Sequence, residues 1–78
     1  MNKLVATELK TIRIRKGLSL EKVAENIGVC YETMRKYENG KTNISIEFLE
    51  KLLNYYDVNM FIFFKTLCEN MHVISQNN

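Results

Sequence analysis

A chain of 78 residues has room for one domain with a modest core, because chains divide into several domains only well beyond this length. Apolar residues make up 46% and charged ones 26%, a balance that excludes a wholly disordered chain, and the longest apolar run, Met60 to Phe64, is too short to cross a bilayer. The N-terminus lacks the charged-then-apolar layout of a signal peptide, so the expected location is the cytoplasm, and a net charge of +2 points to no partner until its distribution is known.

There is no proline, and the three glycines, at positions 17, 28 and 40, punctuate a helix-favouring sequence. From Leu4 to Lys16 the apolar residues Leu4, Val5, Leu9 and Ile12 recur at helical spacing, with basic residues in the last turn, where the helix dipole favours them; Gly17 ends this helix. Ser19 is a good N-cap for a second helix, roughly Leu20 to Ile27, whose apolar face is Leu20, Val23, Ala24 and Ile27. Gly28-Val29-Cys30 is a three-residue turn. The third helix turns Met34 and Tyr37 inward, leaves Tyr31, Glu32, Arg35 and Lys36 outside, and ends at Asn39-Gly40. Two short helices across a three-residue turn have helix-turn-helix spacing.

Ser45 caps a fourth helix with Phe48, Leu49, Leu52 and Leu53 at steps of three and four. A fifth segment, from about Asn59 to Asn70, is apolar around nearly its whole circumference, more than one core needs. Its surplus, assigned to Met60, Phe61, Phe63, Phe64 and Leu67, predicts a homodimer interface, with Phe61 and Phe64 the residues best suited to a core instead. Residues 73–78 are expected to form a frayed polar tail behind a single domain of residues 1–72. The basic residues Lys10, Arg13, Arg15, Lys16, Lys22, Arg35, Lys36 and Lys41 make the front half the positive half.

Cys30 and Cys68 are isolated and read as reduced, half-buried thiols, and with His72 as the only histidine there is no metal-ligand cluster. No cofactor or small-molecule ligand is expected. An enzyme lacks its parts, with no acid and base pair at usable spacing and no phosphate-binding glycine loop. No basic residues line the other side of the apolar fifth segment, which argues against a membrane surface.

The stretches "RKGLS", "IGV", "YENGK" and "SIEFLEKLLNYYDV", with Ala24 in the second helix, resemble the DNA-binding domain of phage-repressor and Cro-type regulators, the XRE family, over residues 9 to 64. The resemblance implies an all-α, compact five-helix lambda-repressor-like domain. It implies a homodimeric transcriptional regulator that binds double-stranded DNA at a palindromic operator, with restriction-modification controller proteins among the similar compact forms. Base contacts are implied for Tyr31, Glu32, Arg35 and Lys36, phosphate contacts for Ser19, Thr33, Asn39, Lys41 and Asn43, and an ion pair for Arg13 and Glu38. The chain departs from the family at Leu20, where glutamine is common, at Cys30, a weak cap, and at Ile44, where a proline often stiffens the loop. The alternative reading is a protein-binding module of the same fold, an antitoxin or anti-repressor partner.

Overall fold

The computed structural model describes the backbone of residues 2–76 and the side chains of residues 3–70. It contains α1 (Asn2–Arg15), α2 (Leu20–Ile27), α3 (Tyr31–Glu38), α4 (Ile46–Tyr55) and α5 (Met60–Gln76), and no strand among the described residues.

Most of the helix ends have a local reason. Ser19 Oγ accepts from the Lys22 N–H at 3.1 Å and Ser45 Oγ from the Phe48 N–H at 3.1 Å. Asn59 does the same for α5, its Oδ1 accepting from the N–H groups of Phe61 at 2.7 Å and Ile62 at 3.3 Å. Gly40 closes α3 with φ +72°, and the Lys41 N–H reaches back to the Lys36 carbonyl at 3.0 Å. This is the Schellman arrangement, which calls for a left-handed residue. Asp57 closes α4 in the same way, with φ +60°, the one non-glycine residue at positive φ among those described; the Val58 N–H bonds the Leu53 carbonyl at 2.9 Å.

The core forms where the apolar faces converge. Leu9 of α1, Val23, Ala24 and Ile27 of α2, Met34 of α3 and Leu49, Leu52, Leu53 and Tyr56 of the α4 region meet Phe63 and Leu67 of α5. Ala24 is 2% exposed, and its small side chain lets α2 and α3 approach closely. Leu20 and Ile44 pack against this core as well, so the apolar residues standing in for the family's glutamine and proline are anchors of the fold.

Four expectations change. Phe63 and Leu67, assigned to a dimer interface, are 1% and 2% exposed and belong to the core, and Met60 is half-buried against it. Phe61 and Phe64, the pair best suited to a core, are instead exposed, Phe61 at 72%. Positions 60, 63 and 67 share one helical face and 61 lies off it, a phase that an all-round apolar segment does not reveal. The helix also runs through Gln76, past the start of the expected tail at residue 73, because neither glycine nor proline interrupts it. Both thiols are free and exposed, Cys30 preceding α3 and Cys68 lying off the inward face of α5.

Arg13 and Glu38 meet. Arg13 Nε donates to Glu38 Oε2 at 2.8 Å and Nη1 donates to the Leu18 carbonyl at 2.7 Å. The two side chains are 13% and 4% exposed, so this bond ties the end of α3 to α1 and the α1–α2 turn in a poorly solvated place. Removing one partner from such a pair strands a charge and costs about 3–5 kcal/mol.

Candidate nucleic-acid interface

The candidate surface is the outer side of α3 with the turns that flank it. Two constraints hold α3 against the domain. Met34 is fully buried on its inner side, and the Tyr37 ring lies 4.9 Å from that of Phe48 in a tilted pair. At its start, Gly28 adopts φ +87°, and the Ala24 carbonyl accepts from both Gly28 and Val29, at 2.9 and 3.0 Å. That turn reverses the chain within three residues, so α3 begins directly beside α2.

Helical periodicity then leaves Tyr31, Glu32 and Lys36 exposed on the far side, Tyr31 at 47%, with Arg35 partly so. Arg35 and Glu32 form an ion pair one turn apart. Arg35 Nε donates to Glu32 Oε1 at 3.0 Å, and Nη2 donates to the same oxygen. The hydrogen bond from Arg35 holds the Glu32 carboxyl below its ordinary value, and the same bond raises the Arg35 guanidinium. Lys36 and Lys41 have no acidic partner among the described residues.

The residues assigned to phosphate contacts flank this face. Ser19, Asn39, Lys41 and Asn43 are exposed. Ser19 Oγ uses a lone pair for its cap bond, so its O–H is left to donate. Thr33 is half-buried, and its hydroxyl lies 3.0 Å from Cys30 Sγ. This contact lowers the pKa of the thiol, so that it ionises more readily, and it commits Thr33 to α3 itself, which makes it the weakest of the five for an outside ligand. Cys30 has cap backbone geometry but makes no side-chain cap bond.

Two features of the surface have no sequence signal. Asn26 Nδ2 donates to the Tyr55 hydroxyl at 2.8 Å, joining α2 to α4. A Cβ on Gly40 would stand 3.0 Å from Lys3 Cγ, so the aliphatic stem of Lys3 lies on the turn that closes α3. Among the described residues no group of side chains could hold a metal ion, and no helix is long and apolar enough to cross a membrane.

The chain is 33% identical over 55 residues to RstR, the cryptic phage CTXphi transcriptional repressor of Vibrio cholerae, an overlap of 70% of this chain and 50% of RstR. It is 30% identical over 69 residues to RC0668, an HTH-type transcriptional regulator of Rickettsia conorii, covering 88% and 55%. The chain thus spans about half the length of these relatives. Among solved structures it superposes on the restriction-modification controller protein C.Esp1396I, seen as a tetramer in complex with its natural 35 base-pair operator, with a TM-score of 0.77, 25% identity and coverage of 86% and 88%. The helix-turn-helix family model matches residues 9–63, from the middle of α1 into α5, so it takes in the α2–turn–α3 unit entire; the chain belongs to the XRE-type helix-turn-helix family.

Proposed function

We propose that this protein is a sequence-specific, double-stranded-DNA-binding transcriptional regulator that acts in the cytoplasm as a homodimer on a palindromic operator and catalyses no reaction. The observation that carries the reading is the two-sidedness of α3. Met34 is locked into the core while Tyr31, Glu32, Arg35 and Lys36 stand outside with donors and acceptors suited to base edges in a major groove. Family membership and the operator complex of C.Esp1396I support it.

Base contacts are assigned to Tyr31, Glu32, Arg35 and Lys36, with Arg35 on a guanine. Phosphate contacts are assigned to Ser19, Asn39, Lys41 and Asn43, with a lesser part for Thr33. The exposed apolar residues Phe61, Ile62 and Phe64 of α5 are the candidate face between two copies.

Selection of bound duplexes from a random pool, followed by footprinting, tests the proposal. The expected result is a two-fold sequence with half-sites about 34–36 Å apart, or a multiple of it. Affinity for it should fall steeply with salt. Arg35→Ala should cost about 1–3 kcal/mol and relax preference at one base pair per half-site. No salt-dependent binding to any duplex would favour a protein-binding module of the same fold instead.

A further inference from the structure

We propose that Glu32 is a specificity-determining residue which, by holding the side edge of Arg35, keeps that guanidinium from serving as a general phosphate ligand and leaves only its terminal fork for a base. This rests on the DNA-binding reading above.

A guanidinium presents five N–H groups as two forks, a side fork from Nε and Nη2 and a terminal fork from Nη1 and Nη2. Glu32 Oε1 takes both members of the side fork. The Nη1 hydrogens and the outer Nη2 hydrogen remain, and they form the edge that matches O6 and N7 of guanine. Glu32 Oε2 has no partner among the described residues, so it can accept from the amino group of a cytosine or adenine beside that guanine. Both halves of the pair are partly exposed, with side-chain exposures of 41% and 53%, so the unit can reach a groove.

The electrostatics separate the roles of the cations. Arg35 is the only cation of the outward face in an ion pair with a carboxylate among the described residues, while Lys36 and Lys41 act on Glu32 only at longer range. Lys41, the lysine assigned to a phosphate, is therefore ready for one on any sequence. To reach a phosphate, Arg35 must leave Glu32 or carry a carboxylate toward another anion, and both are unfavourable. On a wrong sequence Glu32 is desolvated in the groove with no amino group to meet it. On the right sequence neither penalty arises.

The test compares the native protein, Glu32→Gln, Arg35→Ala and the double variant on the selected operator and on a scrambled duplex of equal length and composition, across a salt series. Thermal melts of all four, expected to coincide, check that the substitutions leave the fold intact. Glu32→Gln should bind the scrambled duplex about tenfold more tightly at low salt, the worth of one charged hydrogen bond. Its log–log salt slope on that duplex should steepen by about 0.9, one further phosphate contact. Operator binding should not gain in step, so the ratio of operator to scrambled affinity falls. In the Arg35→Ala background the same change should give little gain, since there is no guanidinium to release. An equal gain in both backgrounds overturns the inference and makes Glu32 a general repulsive charge; no gain in either overturns it too. A native protein that binds neither duplex at low salt removes the DNA-binding reading itself, a different outcome from these two.

Discussion

At the scale of single residues, Tyr56 is where the core is least satisfied. Its ring is 1% exposed and its hydroxyl is buried with no hydrogen-bond partner among the described residues. Burial first, and then the nearby Glu38 carboxylate, raises its pKa well above the ordinary tyrosine value of 10.0. Leaving a buried hydroxyl unpaired costs about 1–3 kcal/mol, so Tyr56→Phe, which keeps the ring, should raise unfolding stability by roughly 1 kcal/mol in urea titrations. The sign of the pH effect follows. Because the folded-state value is raised, the proton is held more tightly in the folded chain, so this contribution is present below pH 10.0 and is lost as pH rises above it. The Phe variant should therefore lose less stability than the native chain on going to strongly alkaline pH; an identical loss in both would show that the hydroxyl is solvated. The sequence could not single out Tyr56, since it stands beside Tyr55, whose hydroxyl instead accepts from Asn26. Arg13 and Glu38 were more legible, because both fall on positions that pair in the family the chain resembles, and the structure joins them at 2.8 Å.

At the scale of elements, helix ends were easier to read than helix faces. Glycines and serines act within a few residues of themselves, so the limits of α2, α3 and α4 follow from Ser19, Gly28, Gly40 and Ser45 without knowledge of the rest of the chain. The left-handed turn at Asp57 was not legible, because aspartate adopts that conformation far less often than glycine and nothing else in the local sequence marks the position. The inward phase of α5 was not legible either, since it depends on which of several equivalent apolar side chains meets Leu9 and Leu52 in three dimensions. The start of α3 offers a direct check on cap reasoning. Cys30 already has φ −77° and ψ 154°, the backbone of an N-cap, but its sulfur contacts the Thr33 hydroxyl instead of capping a backbone N–H. Cys30→Ser places a competent acceptor there at no backbone cost. It should stabilise the protein by about 1 kcal/mol, which raises the melting temperature by roughly 4–8 °C for a domain of this size. An unchanged melting temperature would mean that the N-terminal N–H groups of α3 are already satisfied by water.

At the scale of the whole molecule, one copy presents one α3, and one α3 reaches only one half-site. A symmetric pair needs a self-complementary surface, and the exposed part of α5 is the natural candidate, with Phe61 at 72%, Ile62 at 51% and Phe64 at 36% exposure, Phe64 also resting edge-on against the buried Phe63 ring. The assignment separates two neighbouring phenylalanines by outcome. Phe61→Glu removes a side chain that the monomer core does not touch, so the domain should keep its melting behaviour at low concentration while sedimentation shifts from dimer to monomer and the footprint shortens to one half-site. Phe63→Ala empties a site that is 1% exposed and should cost about 3–5 kcal/mol, comparable with the entire stability of a domain this small. The first variant therefore loses pairing with the fold intact, and the second loses the fold. The contrast matters because unfolding also abolishes pairing, so only a folded, monomeric Phe61→Glu protein identifies the face. If the native chain itself sediments as a monomer at every concentration, with or without operator, the apolar side of α5 is not a surface between two copies and recognition rests on a single α3.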